Sequence, residues 1–274
     1  MKKRKLISQR HPILYFIAVW IRRTKRKLEW TFGSEKFANI KRNETLPFRV
    51  KKHQSVLLRK LGEKNEQLQI NKVTNLKIAV KNIDGIIIKP GETFSFCKLV
   101  GRPTKKKGYL MGMELSFGEA RPGIGGGICQ ISNMLHWMVM HSPLTITEKS
   151  NHSFDPFPDE GRVLPFGSGA AIFYNYIDFQ FKNNTENTFQ IFLKVTEKFL
   201  EGELRVNNEL QNTYHIFEKD HQFLKRGSEF YRKNEIWRNT ISKQNGNIVK
   251  TELLKKNFAR VTYQPENYIV DLDN

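Results

Sequence analysis

The run Pro122-Gly123-Ile124-Gly125-Gly126-Gly127-Ile128-Cys129-Gln130-Ile131-Ser132 constrains this chain more than any other segment. Successive glycines favour neither helix nor strand, but they let the backbone turn tightly and approach another surface closely. Directly behind them Ile128, Ile131, Met134, Leu135, Met138 and Val139 recur at offsets 0, 3, 6, 7, 10 and 11. That is a helical stripe one face wide, and Pro143 stops it. A continuous apolar face has to be covered, so the spacing predicts a central helix over 128–141, carrying Cys129 at its start and packed on a mixed or antiparallel sheet.

The strands for that sheet lie mostly downstream. Segments 172–181, 188–195, 199–206, 214–217, 230–239 and 248–254 are rich in Phe, Tyr, Ile and Val, with turn residues between them. Leu144-Thr145-Ile146-Thr147 alternates, as does Glu92-Thr93-Phe94-Ser95-Phe96 behind the turn signal Pro90-Gly91, while Ile86-Ile87-Ile88 predicts a buried strand. Helical spacing marks 54–62, ending at Gly62, and 66–84, closed by Gly85. Gly112 and Gly118 argue against a long helix over 109–121, and 122–127 is expected as a flexible turn. The fold class expected is therefore α+β, with a basic helical segment at 1–45, a central domain at 46–210, and a strand-rich extension at 211–274 packed on it.

Composition decides two points. With 39% apolar residues, 20 Phe and 8 Tyr, the 274-residue chain can bury a real core, which excludes global disorder. Lys and Arg number 46 against 27 Asp and Glu, a net +19. Ten of the basic residues, and no acid, fall within residues 1–27; a second run is Lys105-Lys106-Lys107. Such clusters attract anionic lipid or nucleic acid, or simply keep a surface soluble. Nucleic acid ranks last, because net charge alone supports it. The apolar run Ile13–Ile21 is far shorter than the roughly 20 residues that span a bilayer. Arg22-Arg23-Thr24-Lys25-Arg26-Lys27 follows at once, with no small-residue cleavage site. The expectation is a cytoplasmic protein resting peripherally on the inner face of the membrane through a basic, apolar-striped helix; the other reading is a core helix of the domain.

Two cysteines, Cys97 and Cys129, make no disulfide framework; reduced thiols are the simpler reading, with a single bridge left open. Nothing has zinc spacing, and the glycine turn lacks the Lys-Ser/Thr of a phosphate loop, so no metal and no cofactor are expected. Cys129 sits where free amides and the helix dipole gather, a setting that lowers a thiol pKa. His152, 23 residues on, is the candidate base, and Asp155, Asp159 or Asp178 the candidate orienter. Gly125, Gly126 and Gly127 would offer amides to a substrate or a developing oxyanion, with Gln130, Ser132 and Ser153 as further substrate-binding candidates. His136 lies two turns along the helix, about 10 Å by rise, and is taken as a core histidine; His141 as a helix C-terminal residue. His215 and His221 have no neighbour in sequence. The plain alternative for Cys129 is a small core residue.

Four segments, in order, resemble the VanW family: Ile88–Phe96, Pro122–Asn133, His152-Ser153 and Asp178–Thr185. The resemblance covers roughly residues 65–206, and the flanks fit a short single-domain branch. It implies a link to vancomycin B-type glycopeptide resistance and to cell-envelope or peptidoglycan processes. Many members of the family carry Asp-Ala-Thr-Val where this chain has Gly167-Ser168-Gly169-Ala170-Ala171, with no acid. Two functional readings follow. One is a papain- or transglutaminase-like thiol amidase or acyl transferase acting on a peptidoglycan-related peptide, with Cys129, His152 and Asp178 as its triad. The other is a non-catalytic module that binds a cell-wall precursor or a membrane-associated partner.

Overall fold

The computed structural model describes residues 11–58, 66–116, 119–151, 154–155 and 164–270. Helix α1 (Pro12–Phe32) opens the described chain; the His11 ring nitrogen Nδ1 accepts from Ile13 N at 3.2 Å, and Pro12 fits the first position because an amide there has no helical partner. The helical expectation for 1–45 ends at Phe32: Lys36–Phe37 form a short strand, β1, and Phe48–Val56 a long one, β2. β2 also overturns the helix expected from residue 54. Its backbone is taken by a ladder with a later strand, and a ladder recruited from far along the chain outweighs local spacing. Residues 59–65 lie outside the described residues.

Helix α2 (Glu66–Ile83) buries Leu76, Ala79, Val80 and Ile83 and closes at Gly85, whose φ of +78 suits glycine. Strands β3 (Ile86–Ile88) and β4 (Glu92–Ser95) follow. Phe96 belongs to a five-residue helix, α3 (Phe96–Val100), rather than to β4, because the Ser95 hydroxyl caps it by accepting from Lys98 N at 3.2 Å. β5 (Met111–Ser116) and β6 (Glu119–Ile124) pair antiparallel, so Pro122 and Gly123 are strand, and the turn proper begins at Gly125. Helix α4 (Cys129–Met140) lies where the apolar stripe put it.

The remaining strands are β7 (Thr145–Glu148), β8 (Phe154–Asp155), β9 (Gln180–Lys182), β10 (Phe189–Val195), β11 (Phe199–Val206), β12 (Asn212–Arg226), β13 (Glu229–Ser242), β14 (Ile248–Val261) and β15 (Ile269–Val270). The strand expected over 172–181 is confined to β9; ahead of it Phe173 and Ile177 bridge across a turn whose Asn175 has φ +60. The α+β class holds, with four sheets among the described residues, ordered β1-β4-β9-β7, β2-β11-β10-β3, β15-β12-β13-β14-β8 and β5-β6.

The core is a sandwich of helix on sheet. α2 packs on β10, and α4 on β2 and β11, of the antiparallel β2-β11-β10-β3 sheet. Gly202 of β11 lets α4 come close, since a methyl there would press on Met134 Sδ and Met138 Cε. The long C-terminal strands join this body through Met140, Ile216 and Ile236, and through Arg238, whose Nη1 donates to Ser142 O at 3.0 Å.

Candidate functional site

Three rungs tie α4 to the segment 168–172. The His136 ring nitrogen Nδ1 lies 2.7 Å from Ser168 O, the Ser132 hydroxyl donates to Ala170 O at 2.7 Å, and the Cys129 thiol contacts Ile172 O at 3.9 Å. Alternate carbonyls of an extended strip thus meet residues spaced at helical intervals, and Asn133 Oδ1 adds a fourth contact by accepting from Ala170 N at 2.8 Å. Carbonyl oxygens, not a carboxylate, face the helix. Ala171 N in turn donates to Ser150 O at 2.8 Å.

The electrostatics follow from burial. The Cys129 thiol is pushed up, first by burial and further by Glu114, while the Ile172 carbonyl contact opposes the shift. The lowered pKa expected of a helix-start cysteine is therefore not what its surroundings produce. Desolvation penalises the thiolate, and the first amides behind it are spent within the turn: Gln130 N reaches Gly127 O at 3.1 Å and Ile131 N reaches Ile128 O at 3.0 Å. His136 is pushed down to about 3, by burial and then by Lys149, so the ring is neutral and carries its proton on Nδ1 toward Ser168 O. Cys97 and Cys129 are both free thiols.

The glycine run is packed, not open. A methyl on Gly125 would overlap Pro103, on Gly126 the Gly112 backbone, and on Gly127 the Lys72 side chain. Asn75 of α2, which the sequence did not single out, bolts the turn in place: its Nδ2 donates to Gly126 O at 2.9 Å and its Oδ1 accepts from Leu110 N at 2.8 Å. Gln130 points the other way, its Nε2 donating to Ser55 Oγ at 2.8 Å and Val56 O at 2.9 Å at the end of β2. Ser132 is buried and engaged with Ala170 O.

The acid candidates are dispersed. Asp178 is buried and accepts from Ser95 Oγ (2.5 Å), Cys97 N (2.8 Å), Phe179 N (2.8 Å) and Gln180 Nε2 (2.9 Å). It joins β4 and α3 to β9, and burial raises its pKa against those donors. The thiol beside it is Cys97, pushed well up by burial and then by Asp178 itself. Asp155 sits in β8 with Arg232 Nη1 at 3.4 Å. His152, Ser153 and Asp159 lie outside the described residues. His221, solitary in sequence, accepts from Arg232 Nε at 2.7 Å, and His215 stacks on Phe217.

A cavity of about 230 Å³ opens where β2, the end of α4 and the start of β12 meet, lined by Phe48, Arg49, Val50, Lys51, His141, Val206, Glu209, Leu210, Asn212, Thr213, Tyr214 and Lys243. Lys51 is half-buried; burial lowers its pKa, its ammonium stands 5.8 Å from the Trp137 ring centre, and no acidic partner meets it among the described residues. His141, held by Nδ1 on Trp137 O at 2.8 Å, is pushed down to about 4 by burial, with Lys51, His215 and His53 adding. Arg49 and Lys243 are partly neutralised by Glu203 and Glu209. These residues come from elements far apart in sequence, so no spacing could announce them. Among the described residues no cluster of His, Cys, Asp and Glu is placed to hold a metal ion.

The family model described as VanW like protein matches residues 71–205. The chain is 31% identical to the Vancomycin B-type resistance protein VanW of Enterococcus faecalis over 264 residues, 95% of this chain and 94% of that protein. It is 36% identical to the uncharacterized protein YoaR of Bacillus subtilis over 112 residues, 40% of this chain and 34% of that one. No solved structure matches it. End-to-end similarity at that identity makes this chain a member of the vancomycin-resistance-related VanW family.

Proposed function

We propose that the chain is an accessory binding protein of the cell envelope, and that its ligand is a carboxylate-bearing peptide of cell-wall origin held in the cavity between β2 and β12. The observation that carries this reading is Lys51. A half-buried ammonium without an acidic partner, next to Arg49, Lys243 and the neutral His141, is paid for poorly by the protein alone and favours an anion. Tyr214, Phe48 and Leu210 supply apolar walls for the rest of a small peptide. The dispersal of the polar candidates near Cys129 into internal hydrogen bonds supports a binding role as well. The Enterococcus relative's link to vancomycin resistance fits a protein that engages a cell-wall precursor.

The test is calorimetric titration of the full chain with a muropeptide ending in a free carboxylate, and with the same peptide amidated. Amidation and, separately, Lys51→Met are each expected to weaken binding by roughly tenfold or more, the loss of one charge-assisted contact. Equal affinity for the two peptides, or an unaffected Lys51→Met, contradicts the assignment.

A second reading, a thiol amidase or acyl transferase with Cys129 as nucleophile and His152 as base, is favoured by one observation. Ser150, two residues ahead of His152, is paired with Ala171 in the very strip whose Ile172 meets the Cys129 sulfur. Asp178 and amides near Gly127 would complete it. The reactivity of that thiol separates the two readings.

A further inference from the structure

Helix α1 is a core helix on one side only. Val19 is its single buried residue, and Val19, Arg23, Arg26 and Trp30, at offsets 0, 4, 7 and 11, form the face turned to the body. Arg26 makes a bidentate pair with Glu148 at 2.6 and 2.8 Å. Arg23 donates to Tyr174 O at 3.3 Å and packs its guanidinium against Phe173, while Asn175 Nδ2 donates to Arg23 O at 3.1 Å. The Trp30 carbonyl accepts from Lys98 Nζ at 3.3 Å.

The opposite face is mainly apolar and exposed, with Thr24 and Thr31 the hydroxyls within it. Ile13, Ile17, Trp20, Ile21 and Leu28 recur at offsets 0, 4, 7, 8 and 15, with Trp20 61% and Ile13 62% exposed. Phe16, 70% exposed, widens the stripe at its N-terminal end. A helical wheel at 100° per residue puts Lys25 along one edge of this stripe and Lys27 along the other. Glu29 is the one acid in the helix; it lies between the two faces, 3.7 Å from Arg26 and 3.9 Å from Lys25, whose ammonium stays 78% exposed and keeps donors for a second anion. No helix among the described residues is long and apolar enough to cross a membrane.

We propose that α1 seats the protein on an anionic bilayer surface, with the Ile13–Leu28 stripe in the headgroup–acyl boundary and Lys25 and Lys27 on lipid phosphates or carboxylates at its two margins. Charge is what selects this occupant. A stripe of aliphatic side chains and one tryptophan, edged on both sides by cations, matches the apolar depth and negative surface of a leaflet. A second copy of the chain would bring two sets of those lysines face to face. The Arg26–Glu148 and Arg23–Tyr174 contacts fix the helix to the body, so the whole protein is held in one orientation rather than tethered.

Flotation of the full chain with vesicles of phosphatidylcholine alone, and with a third of phosphatidylglycerol added, tests it. Binding is expected to the anionic vesicles and to fall steeply between low and high salt. The double variant Ile17→Ser/Trp20→Ser, at exposed positions that leave the docked face intact, is expected to lose flotation. Lys25→Gln/Lys27→Gln is expected to weaken partition by roughly tenfold or more on anionic vesicles only. Circular dichroism of each variant guards against loss of fold. Absence of flotation by the parent chain, undiminished flotation of Ile17→Ser/Trp20→Ser, or a parent dimer in light scattering that this variant converts to monomer without any vesicle binding would each overturn it.

Discussion

The Cys129 sulfur stands 3.9 Å from the Ile172 carbonyl oxygen, the last and longest of three rungs by which α4 holds the strip 168–172. A long thiol–carbonyl contact is weak, but it tells what the sulfur is doing. It closes the seam at a residue that keeps some solvent exposure, and the desolvation of the sulfur there pushes its pKa up.

The seam should make the fold sensitive to acid. His136 is pushed down to about 3 from an ordinary 6.5, so the unfolded chain binds a proton that the folded chain refuses. Stability therefore rises with pH across that interval and is lost as pH falls below about 6.5 toward 3. Denaturant unfolding measured from pH 7 to 4 should show a decline of a few kcal/mol, and His136→Gln, which can still donate to Ser168 O, should remove roughly half of the slope, His141, held down to about 4, supplying a comparable share. A slope unchanged in the variant contradicts the assignment of that histidine.

Gly126 should tolerate no side chain. Gly126→Ala drives a methyl into the Gly112 backbone at the crossing of the β5–β6 hairpin and the turn into α4, and is expected to cost about 2–4 kcal/mol in chemical unfolding. Gly246→Ala is the comparison. It sits at φ +72 with open space above it, and should cost only about 1 kcal/mol, the strain of a left-handed residue. Equal costs would mean that the glycine run is open after all.

Arg26→Met should loosen α1 without unfolding the domain. The bidentate pair with Glu148 is part-buried, with Arg26 17% exposed, so its loss is expected to cost about 1–2 kcal/mol and to speed proteolysis within residues 12–32. Mass spectrometry of limited digests reads this directly; unchanged cleavage would show that the helix is anchored elsewhere.

The local periodicities were legible. The stripe at 128–139 became α4, the spacing at 66–84 became α2, and Ile86-Ile87-Ile88 became a fully buried strand. What failed was decided at a distance. Residues 54–56 joined β2 because β11 offered them a ladder from well over a hundred positions away. Residues 172–179 turn at Asn175, where Tyr174, Asn175 and Tyr176 meet Arg22 and Arg23 of α1, partners about 150 positions away that no local spacing shows. The site followed the same rule. Glycines ahead of a helix look alike in sequence whether they cradle a ligand or admit Lys72 and Gly112, and only the tertiary partners tell them apart. Lys51, His141 and Tyr214 carry no common motif because three separate elements deliver them to one cavity.

The most direct test of the account is the pH dependence of iodoacetamide alkylation of Cys129, read peptide by peptide in the folded chain beside His152→Ala. A binding protein with a packed sulfur predicts slow alkylation that becomes appreciable only above the ordinary thiol pKa of about 8.5, with the same profile in the variant. Rapid alkylation near neutral pH that His152→Ala abolishes would contradict it and establish a thiolate–imidazole pair.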